Sequence, residues 1–435
     1  MKATASLRDS ILSRDVRVGV LGQGYVGVSL ACGAADAGYR VVGLDVDTHH
    51  VEDLRAGILS VPGVDQELFR QGLAADLIEF TTDARQLRAC EVMLICVPTP
   101  LRDHAPDLSY IERACAAVAE HLEPGRLVVL ESTTYPGTTD ELIRPLLESS
   151  GLRAGRDFLV AYSPERIDPG NAEWTLRNTP KVVGGHTPEA TGLASLFYEQ
   201  IVEKVVSVSS CRTAELAKLL ENTFRHVNVA LVSELAMLCH ETGIDVWEVV
   251  DAAATKPFGF MPFYPGPGIG GHCIPLDPTY LGWQMRRDVG RQFQLLELAQ
   301  DVNAGVPAYV ASRISEALNE RGKAVMRANI LVLGVSYKAD VGDIRESPSV
   351  KVMTHLDKRG AILSFHDPFV ASVLVNGRLL RRVDLAEHAV KTADCVAILT
   401  PHRAYDLRWV ADHSSLVFDA RNAYGADRRH EVVRL

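Results

Sequence analysis

Residues 16–47 read VRVGVLGQGYVGVSLACGAADAGYRVVGLDVD. A short apolar run gives way to a glycine-rich turn. A small-residue stretch of helical character follows, and then a second apolar run that ends on Asp45. That order is strand, turn, helix, strand, which makes one parallel crossover unit. Further short apolar runs come at "VMLICV", "LVVLES", "FLVAYS" and "KVVGG", with helical stretches between most of them. The alternation predicts a doubly wound α/β sheet.

The texture changes at Cys211. The stretch "CRTAELAKLLENTFRHVNVALVSELAMLCHETG" carries apolar residues at helical spacing, with Gly243 as its stop. From about Ala328 the strand–helix alternation restarts with "ANILVLGV", "AILSFHD", "CVAILT" and "LVFDARN". The predicted class is therefore α/β, with two Rossmann-like doubly wound domains joined by a long central helix. The second domain is no repeat of the first, because its opening strand lacks the glycine signature. The boundaries drawn from pattern are 1–210, 211–312 and 313–435.

Bulk properties exclude several classes. The chain has 435 residues, 47% of them hydrophobic and 23% charged, with a formal charge of −10. That length suggests more than one core, and the acidic balance argues against nucleic acid as a partner. No run reaches the roughly 18 apolar residues of a membrane span, and "MKATASLRDSILSRDVRVGV" lacks the apolar core of a signal peptide. The eight cysteines form no CxxC pair and the histidines fit no zinc spacing. We therefore expect reduced thiols, a cytoplasmic location and no metal.

Gly22, Gly24 and Gly27 supply GxGxxG directly between a strand and a helix, with Gln23, Tyr25 and Val26 between them. The first glycine allows the tight turn, the second lets pyrophosphate approach the backbone, and the third lets helix and strand pack closely. The helix N-terminus then offers free N–H groups and a positive dipole end to phosphate. Asp45 closes the second strand eighteen residues after Gly27. A carboxylate there accepts from both ribose hydroxyls and repels a 2′-phosphate, so NAD is expected rather than NADP.

A second stretch, "GPGIGGHCIPLDPTY" at 266–280, belongs to a Pro- and Gly-rich segment from 257 to 278 that reads as a binding loop. On its own, Cys273 within it fits a nucleophile, a metal ligand or a small buried hydrophobe. Lys218 and Asn222 are four apart on the long helix and share a face, with Arg225 near the same stripe. Leu216, Leu219, Leu220, Phe224, Val227 and Leu231 form an apolar face on the other side. Without further information the polar stripe reads equally as a solvated face.

The glycine signature, "ESTTYPGTT", "SPERIDPG", "AELAKLLENTFRHVNVAL", "GGHCIPLD" and "LGVSYKADVGDIRESPS" occur in one order. Together they resemble the UDP-glucose/GDP-mannose dehydrogenase family of nucleotide-sugar 6-dehydrogenases, from about residue 16 to the end. The resemblance implies an N-terminal NAD domain, a helical middle that forms a homodimer, and a C-terminal domain for the nucleotide sugar. It implies oxidation of a sugar C6 alcohol to a carboxylate with two NAD reduced, through a thiohemiacetal and a thioester on Cys273. Lys218 and Asn222 would stabilise the alkoxide, the lysine also moving the alcohol proton. Glu165 would be the acid/base carboxylate, Thr133 would position water, and Asp277 would order water or the lysine.

Cofactor contacts are implied at Val97, Thr99, Ser132, Thr133, Thr134 and Arg345, besides the glycine turn and Asp45. Substrate contacts are implied at Glu165, Arg166, Lys218, Asn222, Tyr264, Gly266, Gly268, Gly270, Lys338 and Arg421. Lys338 and Arg421 fall near strand ends of the second domain, where cations meet a diphosphate.

Two positions depart from the UDP-glucose branch. Pro257, beside Lys256, stands where an arginine is expected, and His50 where a basic residue is expected on the adenosine side. The stretch "TKPFGFMPFYPGPGIGGHC" is closer to the N-acetylhexosamine branch. A UDP- or dTDP-glucose 6-dehydrogenase of a glycoside pathway is the alternative substrate reading. Two rivals complete the field: a β-hydroxyacid dehydrogenase making one hydride transfer through a lysine, and a non-catalytic NAD-sensing dimer.

Overall fold

The computed structural model describes residues 2–61, 63–102, 105–168, 171, 173–271, 273–425, 427, 429 and 431–435, with the side chains of 2–5 and 273 excepted. The opening crossover forms as the pattern predicts, with β1 (Arg17–Leu21), α1 (Tyr25–Asp36) and β2 (Arg40–Leu44). It continues with β3 (Ile78–Thr81), β4 (Val92–Ile95), β5 (Leu127–Leu130), β6 (Leu159–Tyr162), β7 (Lys181–Gly185), α2 (Pro188–Tyr198) and β8 (Val205–Val208).

These eight strands form one sheet in the order β8-β7-β6-β5-β4-β1-β2-β3. All neighbours are parallel except β6 and β7. Val18, Val20, Leu94, Ile95, Val128 and Leu130 are fully buried, because helices cover both faces and the strands are apolar throughout rather than alternating. Strand order reverses between β1 and β4. In open α/β sheets the crevice beyond the carboxyl ends of such a pair is where ligands bind.

The long helix α3 spans Cys211–Thr242 without a proline or glycine. It stops at Gly243, whose φ of +70° is the left-handed conformation that favours glycine. Gly243 N–H donates to His240 O and Ile244 N–H to Cys239 O, so the last carbonyls are satisfied by a Schellman closure. The chain forms two compact units, Met1–Glu221 with Thr279–Gln284 and Asn222–Pro278 with Met285–Leu435, and the boundary falls inside α3.

After α3 come α4 (Cys273–Gln284), α5 (Gln294–Glu320) and α6 (Pro348–Lys358). The second sheet contains β9 (Asn329–Leu333), β10 (Ile362–His366), β11 (Cys395–Ile398), β12 (Val417–Asp419) and β13 (Val432–Arg434). Its order is β10-β9-β11-β12-β13 with all pairs parallel, so strand order again reverses, here between β9 and β11. Val310, Ile314 and Leu318 of α5 pack with Val352 and Leu356 of α6 against Ile330 and Val332 of β9.

Candidate active site

Gly22 follows β1 with a φ of +89°, and a Cβ there would lie 2.7 Å from the carbonyl of Cys96 after β4. A Cβ on Gly27 would lie 1.8 Å from Gly22 O, so the turn and the first helical turn touch backbone to backbone. Above Gly24 the space is open. Gly24 caps α1 with no side-chain hydrogen bond, and the positive dipole end of such a helix favours phosphate. Asp45 accepts from Gln23 N at 2.7 Å and Asp47 N at 3.0 Å, which aims its carboxylate at the turn. Its remaining lone pairs suit two ribose hydroxyls. The residues present therefore fit NAD.

His50 serves the same loop, its Nε2 lying 2.8 Å from Gln23 O. The other expected cofactor residues of this unit follow β4 and β5. Ser132 donates its hydroxyl to Val97 O at 2.8 Å, Tyr280 donates to Thr99 O, and Thr134 is fully buried beside the partly exposed Thr133. Arg345 lies in the second unit, where its guanidinium forks onto Asp343 at 2.6–3.0 Å.

α3 reverses the usual amphipathic arrangement, because its polar stripe faces inward. Glu215, Lys218, Asn222 and His226 are all buried. Lys218 Nζ donates to Glu165 O at 2.6 Å, and Asn222 Nδ2 to Asp277 Oδ2 at 2.5 Å. Arg225, placed near this stripe by spacing, is exposed; the next residue, His226, turns inward, one turn on from Asn222. Its Nδ1 lies 3.2 Å from Ile274 O in α4, and burial lowers its pKa, so the neutral ring serves as donor. Glu215 accepts from Gly137 N, Thr139 N and the Thr139 hydroxyl at 2.5–2.9 Å. Burial nonetheless raises its pKa. His226 and Glu215 were missed in the sequence, although the 215, 218, 222, 226 spacing is a helical stripe.

Glu165 is held at both carboxylate oxygens. Oε1 accepts from Arg166 N at 2.5 Å and Ile167 N at 2.7 Å, and Oε2 lies 3.4 Å from Lys181 Nζ. Arg166 forks onto Glu221 of α3 at 2.7–3.1 Å and donates to Pro180 O, so its guanidinium braces this loop to the helix. Lys181, Glu131 and Tyr198 were also missed, because single residues in separate apolar strands and helices carry no local signal. Cys273 is the first residue of α4; its side chain lies outside the described residues.

In the second unit the glycines of the 257–278 loop press against the carboxyl end of the sheet. A Cβ on Gly266 would lie 2.5 Å from Arg421 Nη1, and one on Gly270 would lie 2.7 Å from both Tyr337 and Pro348. One on Gly268 would lie 3.2 Å from Pro348. Tyr264 stacks on Trp247 and donates to Asp251 at 2.8 Å. Arg421 follows β12 and donates to Leu399 O at 3.3 Å. Burial draws its pKa down to about 10, and among the described residues no carboxylate offsets that cost, an arrangement that an anion would relieve.

Lys338 sits in the loop after β9. That loop is pinned by buried Asp367, which accepts from Val335 N at 2.8 Å, Ser336 N at 3.2 Å and His402 Nε2 at 3.0 Å. Although burial opposes its charge, His402 and the backbone donors hold the Asp367 carboxyl below its ordinary range.

A dinucleotide turn in one unit and an anion-seeking arginine under a glycine loop in the other define an oxidoreductase with two nucleotide-type sites. Comparison with known proteins agrees. The chain matches the NAD binding domain of the UDP-glucose/GDP-mannose dehydrogenase family over residues 16–202, its central domain over 212–305 and its UDP binding domain over 331–426. It is 36% identical to the UDP-N-acetyl-D-mannosamine dehydrogenase of Pyrococcus horikoshii, covering 94% of this chain and 96% of the relative. It is also 36% identical to the UDP-N-acetyl-D-glucosamine 6-dehydrogenase of Pseudomonas aeruginosa, covering 90% and 89%. The solved structure of the UDP-D-ManNAc dehydrogenase from Pyrococcus horikoshii superposes with a TM-score of 0.87 at 34% identity, covering 96% of this chain and 98% of that one.

The chain belongs to the UDP-glucose/GDP-mannose dehydrogenase family. It is an NAD-dependent oxidoreductase acting on C6 of a nucleotide sugar.

Asp45 both aims the turn and meets the ribose. Asp45→Ala is therefore expected to raise the KM for NAD by about tenfold and to weaken discrimination against NADP. Cofactor titrations with each dinucleotide check this, and an unchanged NAD to NADP ratio would contradict it.

Proposed function

We propose that this protein oxidises the C6 hydroxyl of a UDP-N-acetylhexosamine to the carboxylate, in two two-electron steps, with Cys273 as the covalent nucleophile. The observation that carries the reading is the inward polar face of α3. Lys218 and Asn222 are buried one turn apart there, the first bonded to the backbone of Glu165 and the second to Asp277. Burying an amine and an amide away from water is costly, and polar groups so placed on one helix face point to a ligand site. The names of the two relatives above and the 257–278 loop support an N-acetylated hexose.

Bound NAD supplies the hydride acceptor for each oxidation, so two are reduced per sugar. In the first oxidation Lys218 takes the proton of the C6 hydroxyl as the aldehyde forms. The Cys273 thiolate then adds to the aldehyde carbon, Lys218 returns its proton to the oxygen so formed, and the second N–H of Asn222 stabilises that oxygen. Loss of that hydroxyl's proton to Lys218, with the second hydride transfer, leaves a thioester. Glu165 takes a proton from the water that cleaves it, with Thr133 helping to position that water. The products are the carboxylate and the free thiol. Asp277 orders Asn222.

In this reading residues 1–210 bind NAD, 211–312 carry the cysteine loop and the dimer helix, and 313–435 bind the nucleotide, with Lys338 and Arg421 at the diphosphate. The protein acts in the cytoplasm as a homodimer. The apolar face of α3 supports the dimer: Leu216, Leu220, Phe224, Leu231 and Leu238 are 45–64% exposed along one helix, and a second copy of that helix would bury them.

A panel of nucleotide sugars, with NADH and product mass measured, is expected to give two NADH and a gain of one carboxylate for a UDP-N-acetylhexosamine. One NADH, or none, would favour the β-hydroxyacid or sensor readings. Cys273→Ser is expected to lower kcat by at least about a thousandfold, with NADH stopping short of two per sugar in a single turnover; an unchanged steady-state rate contradicts the covalent route. Leu231→Glu is expected to shift the protein from dimer to monomer in sedimentation, and a dimer that persists would place the interface elsewhere.

A further inference from the structure

A buried charged cluster beneath Glu165 is used by none of the steps above. Lys181, at the start of β7, has a side chain only 3% exposed. Its three N–H donors have three acceptors: Glu131 Oε2 at 2.6 Å, Glu165 Oε2 at 3.4 Å and Pro164 O at 3.5 Å. Glu131, directly after β5, takes Lys181 on one oxygen and the hydroxyl of Tyr198, the last residue of α2, on the other. Two carboxylates thus share one ammonium, with Lys181 and Glu131 enclosed and Glu165 at the exposed edge. Burial pushes Glu131 up to about 7 against the pull of Lys181. Burial also disfavours the Lys181 charge, but the two carboxylates hold its pKa above the ordinary lysine value.

As a fold-stabilising device such a cluster is a poor choice, because well-packed apolar residues of similar volume usually do as well or better. What distinguishes this one is its fourth member. The backbone N–H groups of Arg166 and Ile167 fix one oxygen of Glu165, and Lys181 faces the other. The carboxylate has no torsional freedom left, while Lys218 grips the main-chain carbonyl of the same residue.

We propose that Lys181, clamped by Glu131 and Tyr198, is a positioning residue for Glu165, holding its carboxylate in the orientation that accepts the proton of the hydrolytic water. The inference rests on the reading of Glu165 as that base. The clamp comes from three elements far apart in sequence, β5, β7 and α2, so it is as rigid as the sheet.

A double-mutant cycle tests it. Lys181→Met is expected to lower kcat by about 100-fold, the cost of a misplaced catalytic group, with KM for NAD and for the nucleotide sugar unchanged within about threefold. Made on top of Glu165→Gln, the same substitution is expected to add less than about threefold, because its effect passes through Glu165. A merely structural lysine would give full additivity.

The milder Glu131→Gln repeats the cycle if Lys181→Met fails to fold. It is also expected to remove an inflection near pH 7 from the kcat profile. The ionisable groups facing Glu131 are Lys181, Glu165, Tyr198 and Cys96; burial raises Tyr198 and Cys96 further above their ordinary values and the carboxylates raise Lys181, while burial brings Glu131 up to about 7. Additive losses, or a Lys181→Met enzyme within about threefold of the parent kcat, overturn the proposal. Unchanged kcat in Glu165→Gln alone is a different result: it removes the base itself, and this inference with it.

Discussion

A helix that turns its polar stripe inward must find a partner for each polar group it removes from water, since a lone buried amide or charge costs several kcal/mol. Along its buried stripe α3 meets much of that demand with two loops and the start of another helix. Glu215 collects the 137–139 turn, and Lys218 collects the loop after β6. Asn222 and His226 collect the first turns of α4. The loop that carries Glu165 and the helix that carries Cys273 and Asp277 are thus each tied to α3 by a hydrogen bond that desolvation makes costly to lose. The apolar residues displaced to the outer face are the geometric complement of that arrangement.

The nucleotide sites rest on a different constraint, which is close approach of backbone to ligand. In the first unit three glycines leave no side chain between the carboxyl ends of β1 and β4, so the helix N-terminus is reachable. In the second unit the glycines of the 257–278 loop answer to another crowding: Gly266 makes room for the Arg421 guanidinium, and Gly270 for Tyr337 and Pro348. Glycine richness is shared by the two segments, but the first opens space for phosphate and the second seats a loop over a cation.

Charge is placed with the same economy. Asp367 with His402 and Glu131 with Lys181 are fully enclosed pairs, one behind the Lys338 loop and one behind Glu165. In each case a buried pair fixes a backbone segment or a carboxylate of its own unit. Arg421 differs from these pairs: among the described residues no carboxylate offsets its desolvation, as suits a group whose counter-ion arrives with the substrate.

The sequence by itself determined whatever is local. Short apolar runs located the strands and a period of three to four located α3, Gly243 ended that helix, and Gly22, Gly24, Gly27 and Asp45 declared the cofactor. The resemblance of its motifs named the reaction class. Only the tertiary structure decided which residue beside Asn222 turns inward, His226 rather than Arg225, because one residue of helix rotates a side chain by about 100 degrees and only packing selects the angle. Only it joined Glu131, Lys181 and Tyr198 to Glu165. Those four lie up to 67 residues apart along the chain, and no pattern of neighbours records a pairing made by the order of strands in a sheet.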